Sequence, residues 1–300
     1  MGIAAAVMFG ASHFFNGVLS RRVPAMNVAV CSQAGGAVLF LIWTLFTWVG
    51  WPESTDMVWA VVSGVGAGLG VGALYEGMRA CRISVVVPVT SIVSVAVPFL
   101  LSVLVLGDHV DVLLIVAALL LVPATWLLSR PTNTPGAVPV AGVPPSTSVS
   151  APAAAQDRSR ANATAIFYGL IAGLGYAIQL FALSRITSPE PASPMLIGQL
   201  VSIVPLFLML RIRSGRFLPL GGTANLSKAV MVGGLAALAM ISYLYATRDA
   251  ALAPVMIAIA LYPALPVLLA LLVLKERLSG SQITGLAIAA LVLPLINIAG

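Results

Sequence analysis

The chain reads as an all-α polytopic membrane protein, ten transmembrane helices forming two inverted-topology repeats of five. Three observations predict this. First, 60% of its 300 residues are hydrophobic and only 8% charged, with a mean hydropathy of +1.07; soluble domains carry about 25% charged residues. Second, cutting the sequence at charges and turn residues leaves ten apolar stretches, each near the roughly 20 residues that cross a hydrocarbon core. Third, the second half repeats the first. Shifting Ser94–Val110 forward by 168 positions onto Tyr262–Leu278 matches Ala96, Pro98, Leu100, Leu101, Leu104, Val105 and Leu106 with identical residues. The same shift brings Asp108 onto Glu276 and Tyr75 onto Tyr243. Leu and Val match through composition alone, so the weight rests on the Pro98/Pro266 pair and on the acidic residue closing each apolar run.

In chain order, the first five spans cover 2–20, 26–49, 58–79, 83–106 and 110–129, and the second five 163–184, 193–212, 226–247, 251–274 and 280–298. Residues 1–129 therefore form the first repeat and 163–300 the second. Residues 1–20 lack the basic leader and small-residue cleavage site of a signal peptide and carry His13 and Asn16 mid-segment, so they are read as a mature helix. Between the halves, residues 130–162 are rich in Pro, Ala and Ser and read as a solvated, partly polyproline-like linker. Five spans per half is an odd number, so the second copy enters the membrane from the opposite side. Two further correspondences agree with the duplication. Leu19-Ser20-Arg21 ends the first span as Leu183-Ser184-Arg185 ends the sixth, and Gln33 and Gln199 sit early in the second and seventh.

The net charge of +6 reflects basic residues gathered in loops on one membrane side rather than an acidic partner; nucleic-acid binding is not expected. The side holding the termini carries Arg185 and Arg248. The other side carries Arg21, Arg22, Arg79, Arg82, Arg130, Arg158, Arg160, Arg211, Arg213, Arg216, Lys228, Lys275 and Arg277. This excess puts the termini outside the cytoplasm. Cys31 and Cys81 lie in or beside apolar segments without metal-ligand spacing and read as buried small side chains.

Each repeat closes its fourth helix with an apolar run and an acidic turn, Leu106-Gly107-Asp108 and Leu274-Lys275-Glu276-Arg277, and Phe9-Gly10 is an aromatic-Gly pair in the first helix. With Tyr262-Pro263, Gln282 and Gly285, these features resemble the EamA-type branch of the drug/metabolite transporter superfamily, over nearly the whole chain. The resemblance implies a ten-helix carrier of small metabolites, in a bacterial inner membrane, with a central cavity between the halves and alternating access. It also implies cytoplasmic termini, against the charge count, and Gly-Glu-Arg where the first repeat has Gly107-Asp108-His109.

A proline inside a membrane helix removes one backbone donor and frees the carbonyl four residues earlier, which persists only where protein or water satisfies it. Pro98 would free Ser94, and Pro266 would free Tyr262. Pro88, Pro254 and Pro263 interrupt the same two helices, so spans four and nine are expected to line the pathway and to gate it. Ser84, Ser91, Ser94, Pro98 and Ser102 share one face of span four, with Thr90 beside it. Hydroxyls also serve helix packing; the stripe around Ser91 and Ser94 favours a cavity. His13 lies near the middle of span one, where an ionisable group needs a cavity or a partner. Its repeat counterpart is close to Ala177, with Tyr176 and Gln179 adjacent. Glu76 has Arg79 three residues on and is expected to pair locally. Gly64, Gly68 and Gly72 form one small-residue ridge and Gly66 and Gly70 another, for close approach of two neighbours. Gly169/Gly173 and Gly233-Gly234 are expected to do the same. Asp108, His109 and Asp111 occupy one turn without a remote fourth ligand, so neither a metal nor another cofactor is expected.

The expected function is transmembrane transport of a small neutral or zwitterionic metabolite, such as an amino acid, through a cavity lined by His13, Asn16, Tyr75, Ser91, Ser94, Gln179, Tyr243 and Tyr262. The partners expected are that solute and the lipid bilayer. Efflux of amphipathic drugs and flipping of lipid-linked sugars are the alternatives among transporters. No acidic residue falls at mid-membrane, which disfavours proton-driven antiport. A membrane-embedded enzyme would need a nucleophile with its base or a metal cluster, neither of which the sequence offers. A structural scaffold would need no wet cavity.

Overall fold

The structure, a computed structural model, describes residues 1–20, 23–81, 83–129, 151–214, 222–273, 275 and 278–299. Among these there is no strand. The helices are α1 (Gly2–Ser20), α2 (Ala25–Thr47), α3 (Ser54–Ala80), α4 (Ile83–Leu101), α5 (Val112–Leu128), α6 (Ala151–Ser184), α7 (Ala192–Ser214), α8 (Thr223–Asp249), α9 (Leu252–Ile259), α10 (Ala264–Val273) and α11 (Gly280–Ala299), with a wider π-turn over Ser102–Leu106 after α4. Eight segments are long and apolar enough to cross a membrane, α4 with its π-turn and α9 with α10 each counting as one. Val112–Leu128 and Gly280–Ile296 are apolar but shorter, and they pack against each other.

Three sequence expectations are corrected. Residues 151–162 do not belong to an irregular linker but continue α6 backwards. Ala and Arg are strong helix formers, and Pro152 falls in the first turn, where no intrahelical N–H is needed. The remainder of that linker, 130–150, lies outside the described residues. Second, α4 runs unbroken through Pro88 and Pro98; the departure from regular geometry comes later, where Gly107, at φ 73°, ends the π-turn and returns its N–H to Ser102 O. Third, the span-nine interruption falls at 260–263, so Pro254 and Pro266 lie in the first turns of α9 and α10 and break nothing. The Tyr262 carbonyl is not left free by Pro266. It accepts the Leu265 N–H at 3.3 Å, three residues on instead of four. Leu274, Glu276, Arg277 and several of the basic residues used for orientation (Arg21, Arg22, Arg82, Arg130, Arg216) lie outside the described residues, and the side chains of Ser84, Arg158, Arg160 and Arg213 are likewise not described.

The bundle is laced by contacts between the two halves of the chain. α3 packs on α6 and α7, α8 on α1 and α2, α4 on α6, α1 on α9 and α10, and α2 on α7. The two glycine ridges of α3 meet two different neighbours. Gly64 and Gly68 close on the carbonyls of Gly198 and Ser202 in α7, whereas Gly66 and Gly70 close on Gly175 and Tyr176 in α6. Gly169 and Gly173 of α6 abut Val89 and Val93 of α4. Gly233 of α8 closes on the carbonyl of Ser32 in α2, while Ser32 Oγ donates to Ala229 O at 3.1 Å. Without a hydrophobic drive between helices in lipid, such close approach and interhelical hydrogen bonding are what hold a bundle together.

Packing is uneven along the bundle. At the end where α3, α7 and α9 begin and α6 and α8 finish, Ile186, Met195, Leu244, Leu252 and Val255 belong to one buried cluster. Here Asp56 accepts the N–H groups of Thr187 (3.1 Å) and Ser188 (2.7 Å), and Arg248 donates to Ser188 O. Asp108, in the acidic turn that follows α4, reaches across and accepts the N–H of Ala253 at 3.0 Å, in the first turn of α9. Asp111 caps α5 through Val112 N–H. By contrast, α10, which leads away from this end, has no buried residue.

Candidate functional site

The interruption between α9 and α10 sets Tyr262 in an irregular turn rather than on a helix face, and this turn is where the two halves meet. Its phenol oxygen is 2.6 Å from Ser91 Oγ of α4. Ser94 Oγ donates to the Ser91 carbonyl at 3.0 Å, with the same phenol beside it. The Tyr262 ring packs against the His13 imidazole of α1, centroids 5.3 Å apart and planes tilted by 35°. α1 can come this close because residue 10 is glycine: a Cβ there would stand 2.7 Å from the Tyr262 carbonyl oxygen and 2.7 Å from Leu265 Cβ.

His13, Tyr75, Tyr176 and Tyr262 are all half-buried. Among the described residues, neither the imidazole nitrogens of His13 nor the phenol oxygens of Tyr75 and Tyr176 have a hydrogen-bond partner. Yet among the described residues the only sealed side-chain oxygen or nitrogen without a partner is Ser20 Oγ. The polar atoms of these three residues are therefore not sealed inside the protein, where a truly orphaned polar group is costly and rare. Ser91 and Ser94 of α4, and Ser102 at the start of the π-turn that follows, are buried.

The structure thus gathers His13, Ser91, Ser94 and Tyr262 in one place, leaves Tyr75 half-buried in α3 with no hydrogen bond or ring contact to them among the described residues, and sets the other three expected site residues elsewhere. Asn16 lies one turn beyond His13, and its Oδ1 accepts Ser32 Oγ of α2 at 2.9 Å. Tyr243 is fully buried and donates to Leu180 O at 2.8 Å, fastening α8 to α6. Gln179 lines a small cavity among α2, α3, α6, α7 and α8, together with Ser63, Gln199 and Met240, with a volume of about 20 Å³. That is room for a water or two, not for a metabolite. The Gln179 amide nitrogen finds only Met240 sulfur, at 3.8 Å.

One feature escaped the sequence reading. Gln33 and Gln199, cited for the duplication, touch one another: Gln199 Nε2 donates to both the backbone and side-chain oxygens of Gln33 at 3.0 Å, and Gln33 Nε2 donates to Ser202 Oγ at 2.9 Å. Polar residues at equivalent depths of two apolar spans were the available signal. Replacing Gln199 by Leu is expected to cost about 1 kcal/mol, because Gln33 loses both donors. The double replacement of Gln33 and Gln199 by Leu should recover much of that loss, since the one group deprived of a donor, Ser202 Oγ, still donates to the Gln199 backbone oxygen. Thermal melting of the purified variants checks this, and a double variant less stable than either single one contradicts it. Glu76 pairs with Arg79, as its spacing suggests.

No protein-family model matches the chain, and no curated relative matches it. A solved structure described as "Crystal structure of protein" aligns with a TM-score of 0.73 at 15% identity, over 99% of this chain and 94% of that one. At that identity the likeness concerns the fold alone.

Proposed function

We propose that the chain is an integral membrane carrier that moves a small, neutral or zwitterionic metabolite by alternating access, related to the EamA-type transporters that its sequence resembles. In this reading ten helices cross the membrane as two five-helix repeats of opposite orientation, the short apolar α5 and α11 being the last of each, and the membrane is a bacterial inner membrane. Equivalent contacts support the twofold relation. Ser32 and Gly198 are 166 positions apart, as are Gln33 and Gln199, while Ala60 and Ala229, like Gly64 and Gly233, are 169 apart. Gly64 closes on Gly198 O as Gly233 closes on Ser32 O, and Gly198 approaches Ala60 O as Ser32 bonds Ala229 O. Gln33 and Gln199 bond to each other, as residues on a pseudo-twofold axis would.

The observation that carries the function is the seam at Tyr262, whose phenol bonds Ser91 of the first half and whose ring packs on the half-buried imidazole of His13, a polar group without a protein hydrogen-bond partner among the described residues. Membrane interiors do not tolerate such groups against lipid, and a scaffold has no need of them. The uneven packing agrees with a carrier caught with one end shut, the end tied by Asp56, Arg248 and Asp108. Among the described residues the buried acids are Asp56 and Glu76, each engaged, which argues against a proton-coupled antiporter that needs an open carboxylate at depth.

Saturable uptake into proteoliposomes over a panel of labelled metabolites tests the reading; no saturable flux for any of them rejects it. Tyr262→Phe removes the hydroxyl that bridges to Ser91 while keeping the ring. Where a solute is carried, this variant should raise KM about three- to tenfold, the worth of one hydrogen bond, with little change in maximal rate.

A further inference from the structure

We infer that the small cavity bordered by Ser63, Gln179 and Gln199 holds an ordered water, and that this water completes a polar network joining α2 and α7 to α6 and α3. The inference concerns how the two halves pack and stands whether or not the chain is a carrier. The walls come from both halves: Phe40 and Ser63 from α2 and α3, Gln179 from α6, Met195 and Gln199 from α7, and Met240 from α8. All but Met240 are buried. Three polar side chains there keep hydrogen-bonding capacity. Gln199 Nε2 donates to O and Oε1 of Gln33, which fixes the way round of the carboxamide and leaves its own Oε1 without a donor among the described residues. One end of the Gln179 carboxamide meets only the Met240 sulfur, at 3.8 Å, and the other has no hydrogen-bond partner among the described residues. Ser63 Oγ gives its proton to Gln179 O at 3.2 Å and keeps a lone pair to accept with.

Leaving a buried amide oxygen or N–H unmet costs more than an average hydrogen bond contributes. None of these atoms is sealed, and the space they border is about 20 Å³. A water needs roughly 10–15 Å³ and two to four polar partners, and both conditions are met. One water, donating twice and accepting up to twice, matches this set of acceptors and amide hydrogens. Other occupants fit less well. Among the described residues no charged side chain borders the cavity, so an ion would lose its hydration without gaining a counter-charge, the costly case for any buried ion. An apolar occupant would leave the amides unmet. The water also has a network to join. Gln33 Nε2 donates to Ser202 Oγ, and Ser202 Oγ to the Gln199 carbonyl, so it extends an existing chain of bonds from α2 and α7 across to α6 and α3. A polar network with every member satisfied rigidifies the interior around it.

The test is hydroxyl-radical footprinting of the full chain in detergent under X-ray irradiation, which generates radicals from whatever water touches a side chain. Two deeply buried methionines serve as probe and control. Met195, 4% exposed, borders the cavity; Met256, 0% exposed, does not, and accepts the Tyr243 hydroxyl at 3.6 Å instead. Met195 should be oxidised and Met256 spared. Gln179→Leu removes one partner of the water and should slow Met195 oxidation about fivefold, the worth of one hydrogen bond in occupancy. Oxidation through opening of the packed end would not depend on Gln179, so an unaltered rate in a folded Gln179→Leu overturns the inference. Equal rates for the two methionines in the unmodified protein overturn it too. Should the Leu variant fail to fold, a high-resolution structure decides: density within hydrogen-bond distance of Gln179, Gln199 and Ser63 upholds the water, and an empty cavity overturns it. Melting in sodium, potassium and choline chloride at equal ionic strength should coincide, whereas stabilisation specific to sodium or potassium assigns the cavity to a cation and overturns the water. None of these outcomes bears on whether a metabolite is carried.

Discussion

Replacing Gly233 by alanine is expected to destabilise the protein by about 3 kcal/mol, or lower its melting temperature by roughly 10 °C, because the new methyl group would collide with the backbone of α2. The atom it meets is the Ser32 carbonyl oxygen, with the carbonyl carbon 2.7 Å and Cα 2.9 Å away. A flexible side chain could swing aside, but a helix backbone moves only as a whole. α8 would have to back away from α2, stretching the Ser32–Ala229 hydrogen bond and loosening the tie from Ser32 to Asn16 in α1. Gly64→Ala, which meets Gly198 O in α7, should behave alike. Two neighbours serve as controls. A methyl at Gly234 would sit at ordinary contact, 3.7 Å from Leu39, and one at Gly17 meets nothing within 4 Å; both changes should be neutral or stabilise by up to about 1 kcal/mol through helix propensity. Melting curves of the four variants in one detergent settle the matter, and a Gly233→Ala protein that melts with the controls contradicts the close crossing.

The α3 glycines were legible from sequence because their spacing of four residues defines a helix face without any knowledge of the neighbour. The facing partners were not, since Gly198 and Gly175 lie more than a hundred positions away. Prolines show the same limit. Pro266 and Pro98 align in the repeat, yet one falls in the first turn of α10 and the other inside an unbroken α4; where a helix restarts is decided by the turn around Tyr262, not by the proline. Tyr75 and Tyr243 also align, and tertiary packing separates their roles. Tyr243 is sealed and bonded to Leu180 O, while Tyr75 is half-buried with a free hydroxyl. His13 and Asn16 share a face of α1, but one turn of helix is enough to carry Asn16 past the seam to Ser32. The stripe of Ser91 and Ser94 was readable because it is local, and the His13–Tyr262 ring contact beside it was not, because it joins α1 to a turn in the far half of the chain.

Asp56→Ala is expected to unlock the packed end of the bundle. Asp56 lies in the first turn of α3, 2% exposed, and its two oxygens hold the N–H groups of Thr187 and Ser188 in the loop between α6 and α7. Arg248 grips the same loop through the carbonyls of Ser188 and Ile186. Truncating the carboxylate leaves two inward N–H groups unpaired, a loss of about 2–4 kcal/mol from the conformer that contains this arrangement. If this conformer is the only folded one, the whole loss lowers the melting temperature. A carrier has a second conformer in which this end is open and the lock is already broken, so there the loss becomes a population shift, about 30-fold for 2 kcal/mol. Ile186, a member of the loop whose side chain is only 1% exposed, reports on the difference. With Cys31 and Cys81 replaced by Ala, an Ile186→Cys protein should react with a membrane-impermeant maleimide roughly 30-fold faster when Asp56 is Ala, and Asp56→Asn, which retains one acceptor, should fall between. Faster labelling without a matching fall in melting temperature signals two folded states of similar energy; lower melting with unchanged labelling assigns Asp56 a purely structural role and removes this lock from the transport cycle.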